Sequence, residues 1–153
     1  MKVAVVGAGT MGSGIAQTCA VAGHDVILVD TTDDALGRAR ARIQNSLERL
    51  VKREKLSEED AAATLTRVST STEYGSVAEC DVVIEAVYES PEVKRQAWRQ
   101  LAEVAKEGAL LATNTSSLSV TEIASYSGRE ERMVGMHFFN PVPMMALVEV
   151  VRG

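Results

Sequence analysis

The hexapeptide GAGTMG, residues 7–12, restricts the fold of this chain more than any other stretch. It follows an apolar run at 2–6 (KVAVV), of the kind buried on both faces of a parallel sheet. It precedes a small-residue helix at 13–23 (SGIAQTCAVAG) that Gly23 can end. In that setting the first glycine permits a tight turn and the second lets a pyrophosphate approach the backbone. The third lets helix and strand pack closely. The helix N-terminus then offers unpaired N–H groups to the phosphates. Taken alone the pattern is only a glycine turn. Its partner is Asp30, eighteen residues beyond Gly12, at the end of a second strand at 24–30 (HDVILVD). A carboxylate there accepts hydrogen bonds from adenosine ribose hydroxyls and repels a 2′-phosphate. Thr31 and Thr32 follow, with no adjacent arginine to favour that phosphate. The pattern predicts a site for NAD rather than NADP, lined by Gly7, Gly9, Thr10, Met11, Gly12 and Asp30.

Short β-branched runs alternate with longer helical ones along the chain, as in a parallel sheet flanked by helices. The expected class is α/β: a Rossmann-type, doubly wound, mostly parallel sheet. Residues 33–53 carry Leu36, Ile43, Leu47 and Leu50 at roughly helical spacing. A further helix begins at SEED (57–60), where Ser57 can cap. The sheet resumes only around 67–71, and two helices are more than strand closure needs, so this helical pair is expected to project. Strands follow at 81–87, 109–114, 132–138 and 146–151. A helix at 91–108 has Pro91 near its first turn and Gly108 at its end, and SVTE (119–122) opens a short helix with a capping box. No repeat or linker interrupts the pattern, so residues 1–153 read as one domain.

A hydrophobic content of 46% with 24% charged residues excludes a disordered or fibrous chain. A net charge of −5 with scattered basic residues argues against a nucleic-acid partner. No apolar run approaches the ~18 residues of a membrane span. The start KVAVVGAG lacks the parts of a signal peptide, so the cytoplasm is the expected setting. Cys19 and Cys80 form no ligand cluster or disulfide framework; both are expected to be reduced core residues, and no metal site is expected.

The stretch GMHFFNPVPMMALVEVVRG (135–153) holds His137 and, twelve residues on, Glu149, with two prolines between. A histidine beside a carboxylate can act as a general base, the carboxylate fixing its tautomer and stabilising the imidazolium. From spacing alone a structural histidine is the better reading, with Glu149 an exposed strand residue.

The segments VAVVGAGTMGSGIAQ, VIEAVYESPEVK, NTSSL and GMHFFNPVPMMALVEVV, in this order and spacing, closely resemble the NAD-binding domain of the L-3-hydroxyacyl-CoA dehydrogenases, which include 3-hydroxybutyryl-CoA dehydrogenases. The resemblance spans essentially the whole chain, and its HFFNP…VEV block is more specific than the glycine fingerprint. It implies reversible, NAD-dependent oxidation of a (3S)-3-hydroxyacyl-CoA to a 3-ketoacyl-CoA in fatty-acid or short-chain acyl-CoA metabolism. His137 would be the base, with Glu149 orienting it and balancing its charge. Ser116 would hydrogen-bond the substrate oxygen, Asn140 would hold the reacting groups, and both would border the cofactor. Glu89 and Lys94 match positions that contact the cofactor beyond its pyrophosphate. Ser46 and Arg53, with Ser116, match positions that grip the acyl-CoA; Arg53 stands where lysine is usual, and either can pair with phosphate.

The chain departs from these relatives at Ala146, where many carry lysine or proline, and at Tyr88 and Ser90. Those changes bear on chain-length preference, not on reaction class. Family members continue into a helical domain that forms most of a homodimer interface and closes the cleft. The present 153 residues are therefore expected to be the nucleotide-binding half, weak or inactive alone, since catalysis needs aligned reactants and excluded water. The alternatives are an NAD-binding module without catalysis and a related β-hydroxyacid dehydrogenase.

Overall fold

The computed structural model describes residues 1–153. Its strands are β1 (Lys2–Val6), β2 (Asp25–Val29), β3 (Val68–Ser71), β4 (Val82–Glu85), β5 (Leu110–Thr113), β6 (Met133–Phe138) and β7 (Val148–Arg152). They pair in the order β3-β2-β1-β4-β5-β6-β7. Every pairing is parallel except β6 with β7. The chain builds outward from β1 through β2 and β3, then returns to place β4 on the other side of β1. The strand order thus reverses between β1 and β4, where open α/β sheets form a crevice beyond the carboxyl ends of their strands.

The helices are α1 (Thr10–Val21), α2 (Asp33–Lys52), α3 (Glu58–Arg67), α4 (Pro91–Val104) and α5 (Val120–Ser127). Successive strand residues face opposite layers. Val3, Val5, Leu28, Ile84 and Ala112 pack in the cluster that holds α1, α2 and α3. Ala4, Val6, Val29, Val83 and Leu111 pack in the one that holds α4 and α5. Both sheet faces are covered, which is why these strands read as continuous apolar runs.

The helical pair after β2 is present, and it is bound closely to α1: Leu36, Ala39, Ile43 and Leu47, at helical spacing, are no more than 4% exposed. The end of α2 and the turn after it, residues 52–55, form a continuous exposed run. Thr32 caps α2 by accepting the Ala35 N–H at 3.2 Å, and Ser57 caps α3 by accepting that of Asp60 at 3.0 Å. Three local expectations are corrected. Helix α4 stops at Val104, not Gly108, and the Arg129 guanidinium donates to the carbonyls of Ala102, Ala105, Lys106 and Glu107 at 2.6–3.4 Å. Carbonyls at a helix end lack intrahelical partners, and the guanidinium supplies donors there; that of Lys106 also accepts the Ala109 N–H at 3.0 Å. The capping box of α5 is half formed: Ser119 accepts the Glu122 N–H at 3.2 Å, but the Glu122 carboxylate takes the Tyr126 hydroxyl instead. Strand β7 starts at Val148 and all five of its residues are exposed.

Cys80 is buried, whereas Cys19 is only half-buried against the α1 cluster, where burial lifts its thiol to about 11. No helix is long and apolar enough to cross a membrane. No cluster of His, Cys, Asp and Glu side chains is arranged to hold a metal ion.

The glycine loop yields a stability prediction. A Cβ on Gly12 would stand 1.6 Å from the Gly7 carbonyl oxygen, a backbone atom that cannot yield without opening the loop. Gly12→Ala is expected to lower unfolding free energy by about 3 kcal/mol in urea titration, the upper range for overpacking. Gly37→Ala, inside α2 with nothing within 4 Å of the added methyl, is expected to raise it by about 0.5–1 kcal/mol.

Candidate active site

The carboxyl ends of the parallel strands deliver the candidate residues to one rim. Beyond β1 the loop turns at Gly7, whose φ of +105° suits glycine, and whose missing Cβ leaves room for the Ala86 carbonyl. Gly9 has nothing within 4 Å of where its Cβ would point, so the backbone there lies open to an approaching ligand. Gly9 is also the N-cap of α1 and provides no side-chain bond, leaving first-turn N–H groups for a phosphate. Asp30, just past β2, accepts the Ala8 N–H at 2.7 Å and the Thr31 N–H at 2.7 Å, which fixes its carboxylate beside the loop. Gly7, Gly9, Thr10, Met11 and Asp30 line one crevice of about 910 Å³, and Gly12 packs beneath it. An open backbone cradle with a fixed carboxylate at its far side fits a dinucleotide.

His137 and Glu149 come together through sheet register. They are directly opposed partners in the antiparallel β6–β7 ladder, which puts both side chains on one face. His137 Nδ1 lies 3.0 Å from Glu149 Oε2, and His137 Nε2 lies 3.2 Å from Ser116 Oγ. A carboxylate at Nδ1 favours the tautomer with its proton there, leaving the Nε2 lone pair toward Ser116. The Phe139 ring packs 4.5 Å from the imidazole. Ser116, His137 and Glu149 share a cleft of about 270 Å³.

Asn140 lines a different groove, together with Thr10, Ser46 and Arg53. Arg42 and Arg49 join them there. Residues 42, 46, 49 and 53 follow a helical i, i+4, i+7, i+11 stripe, a signal in the sequence that could have found the two further arginines. Gly14 lets this groove form, because its Cβ would sit 2.8 Å from that of Val142. Helix α1 therefore presses directly on the turn that carries Asn140.

Lys94 is placed differently from the expected cofactor contact. Its side chain is fully buried, with Nζ 2.6 Å from Glu85 and 3.2 Å from Glu89. Glu85 has no exposure either, and also accepts from the Val87 N–H at 3.0 Å, the Trp98 indole at 3.2 Å and the Thr113 hydroxyl at 2.7 Å. Glu89, more than a third exposed, accepts from the Thr115 hydroxyl, the Ser116 N–H at 3.1 Å and the Ser117 hydroxyl at 3.4 Å. Burial pushes the Glu89 carboxyl up, but the Thr115 hydroxyl and the Lys94 ammonium outweigh it, holding it below the usual 4.5. Asn114 was also missed: its Oδ1 accepts the Phe138 N–H at 2.9 Å, joining the end of β5 to β6 beside His137.

A profile of the family described as "3-hydroxyacyl-CoA dehydrogenase, NAD binding domain" matches residues 2–153. The chain is 48% identical to a 3-hydroxybutyryl-CoA dehydrogenase of Clostridioides difficile, over all of this chain and 54% of that protein. It is 43% identical to the human mitochondrial hydroxyacyl-coenzyme A dehydrogenase, over 98% of this chain and 50% of that one. The crystal structure of (S)-3-hydroxybutyryl-CoA dehydrogenase from Ralstonia eutropha superposes with a TM-score of 0.97 at 48% identity, over 99% of this chain and 54% of that one. The chain thus spans about half the length of the curated relatives it matches.

A carboxyl held below its usual value stabilises the fold above the unfolded-state value, and that contribution is lost as pH falls through the folded one. For Glu89 the loss belongs below pH 4.5. The difference in urea midpoint between the native chain and Glu89→Gln is expected to be present near neutral pH and to narrow as pH drops below 4.5.

Proposed function

Because the chain belongs to the family of NAD-binding domains of 3-hydroxyacyl-CoA dehydrogenases, we propose that it carries the cofactor site and the proton-transfer pair for oxidation of a (3S)-3-hydroxyacyl-CoA to the 3-ketoacyl-CoA. The observation that carries this reading is the line Ser116 Oγ, His137 and Glu149, with contacts of 3.2 and 3.0 Å.

NAD, when bound, supplies the hydride acceptor. The backbone of Gly9, Thr10 and Met11 receives the pyrophosphate, and Asp30 the ribose hydroxyls. Glu149 holds the Nδ1 proton of His137, so that Nε2 takes the proton of the substrate hydroxyl. The same carboxylate then balances the imidazolium charge. Ser116, between Nε2 and the open cleft, hydrogen-bonds the substrate oxygen. Asn140 borders both ligands at the mouth of the neighbouring groove. There Ser46 and Arg53, with Arg42 and Arg49, offer hydroxyl and guanidinium donors to the phosphates of coenzyme A. In this reading residues 1–153 form one NAD-binding domain. Their own turnover is low, since Glu149 is 54% exposed and water competes at the dyad.

Two measurements check the assignment. NADH formation from (3S)-3-hydroxybutyryl-CoA is expected to fall about 10²–10⁴-fold in His137→Gln, the range for loss of a general base. A rate that ignores this substitution would overturn the reading. By calorimetry, Asp30→Ala is expected to weaken NAD binding about 10–100-fold, as suits loss of hydrogen bonds to a charged acceptor.

A further inference from the structure

We propose that Glu89 is a positioning residue for Ser116, and through it for His137, with Lys94 and Glu85 as the buried base that holds Glu89 in place. The inference rests on the assignment of His137 and Ser116 as the proton-transfer site, and gives Glu89 a task there beyond touching the cofactor.

The division of the two Glu89 oxygens carries the argument. Oε2 faces Lys94 at 3.2 Å. Oε1 alone gathers three donors from three consecutive residues: the Thr115 hydroxyl, the Ser116 N–H at 3.1 Å and the Ser117 hydroxyl at 3.4 Å. The Thr115 oxygen in turn accepts the Leu118 N–H at 3.0 Å, closing the turn. The loop is thereby gripped on both sides of Ser116 and at its own backbone. The Ser116 hydroxyl is left out of this grip and meets His137 Nε2 at 3.2 Å. A carboxylate whose oxygens are engaged this fully by protein donors acts on the protein.

The buried side of the chain explains why Glu89 stays in place. Lys94 has no exposure, and its ammonium is held between Glu85 at 2.6 Å and Glu89 at 3.2 Å. Glu85 cannot retreat, because the Trp98 indole and the Thr113 hydroxyl bind its second oxygen at 3.2 and 2.7 Å. The Lys94–Glu85 bond is buried on both sides, and a charge-assisted bond in such a setting is stiffer than one in water. Position therefore passes from the sheet interior through Lys94 to Glu89, then to the loop.

The chain has two histidines and one tryptophan, which makes the test direct. Imidazole NMR resonances of His137 are followed against pH, without cofactor or substrate, in the native chain, Ser116→Ala, Glu89→Ala and the double variant. The Trp98 indole N–H resonance reports whether the Glu85 cluster is intact. Expected is a shift of the His137 titration in Glu89→Ala with the same sign and comparable size as in Ser116→Ala. The double variant should match Ser116→Ala alone, and Glu89→Gln, which keeps an acceptor, should recover part of the native curve. If Glu89→Ala loses the native Trp98 resonance, Thr115→Val, which spares the ion pairs, is expected to give the same His137 shift. A His137 titration that moves in Ser116→Ala but not in Glu89→Ala or Thr115→Val overturns the proposal, as does one that ignores Ser116→Ala. These readouts need no turnover, so a failed positioning role is distinguishable from a failed assignment of the reaction.

Discussion

A carboxylate with no access to water holds the working rim of this protein together. Burying an ionised Glu85 without partners would be prohibitive. It is tolerated because Lys94 stands 2.6 Å away and three further donors fill its remaining lone pairs. Glu85 is the last residue of β4, beside the point where strand order reverses. Its partners come from β5, from α4 and from the loop between β4 and α4. One charge therefore ties three segments at the rim where ligands bind, and a well-packed apolar residue could fill the space without joining them.

Sterics govern the other side of the rim. The glycine loop closes on itself because Gly12 leaves room for the Gly7 carbonyl, and on β4 because Gly7 leaves room for Ala86. One helix then links the two halves of the site. Helix α1 begins at the phosphate cradle and, through Gly14, touches Val142 in the turn between β6 and β7. The cofactor crevice, the arginine-lined groove and the strand bearing His137 thus share one rigid strut.

The fold was legible because coverage of both sheet faces turns its strands into unbroken apolar runs, and because the loop and Asp30 form a local pattern. The residues of the dyad were legible only through family resemblance. Sequence spacing does not encode cross-strand register, and register is what opposes Glu149 to His137. Other misses share that cause. The end of α4 is capped by Arg129, far along the chain, a partner that local sequence does not announce. The resemblance makes Lys94 a cofactor contact, and nothing near it in sequence announces the carboxylates on both sides of its ammonium. The glutamate in DVVIEAV was the available clue: a charge inside an apolar strand must have partners elsewhere.

Strand β7 is bonded to the sheet on one side only, with all five residues exposed. It nevertheless carries Glu149, half of the pair proposed for proton transfer. Edge elements with few buried contacts open at free energies well below that of global unfolding. The His137–Glu149 geometry is therefore only as durable as the β6–β7 ladder. When that ladder frays the imidazole loses the carboxylate that sets its tautomer, while the glycine loop and Asp30, anchored at the centre of the sheet, keep their form. The dinucleotide cradle and the pair proposed for proton transfer thus rest on different parts of the sheet, its centre and its edge.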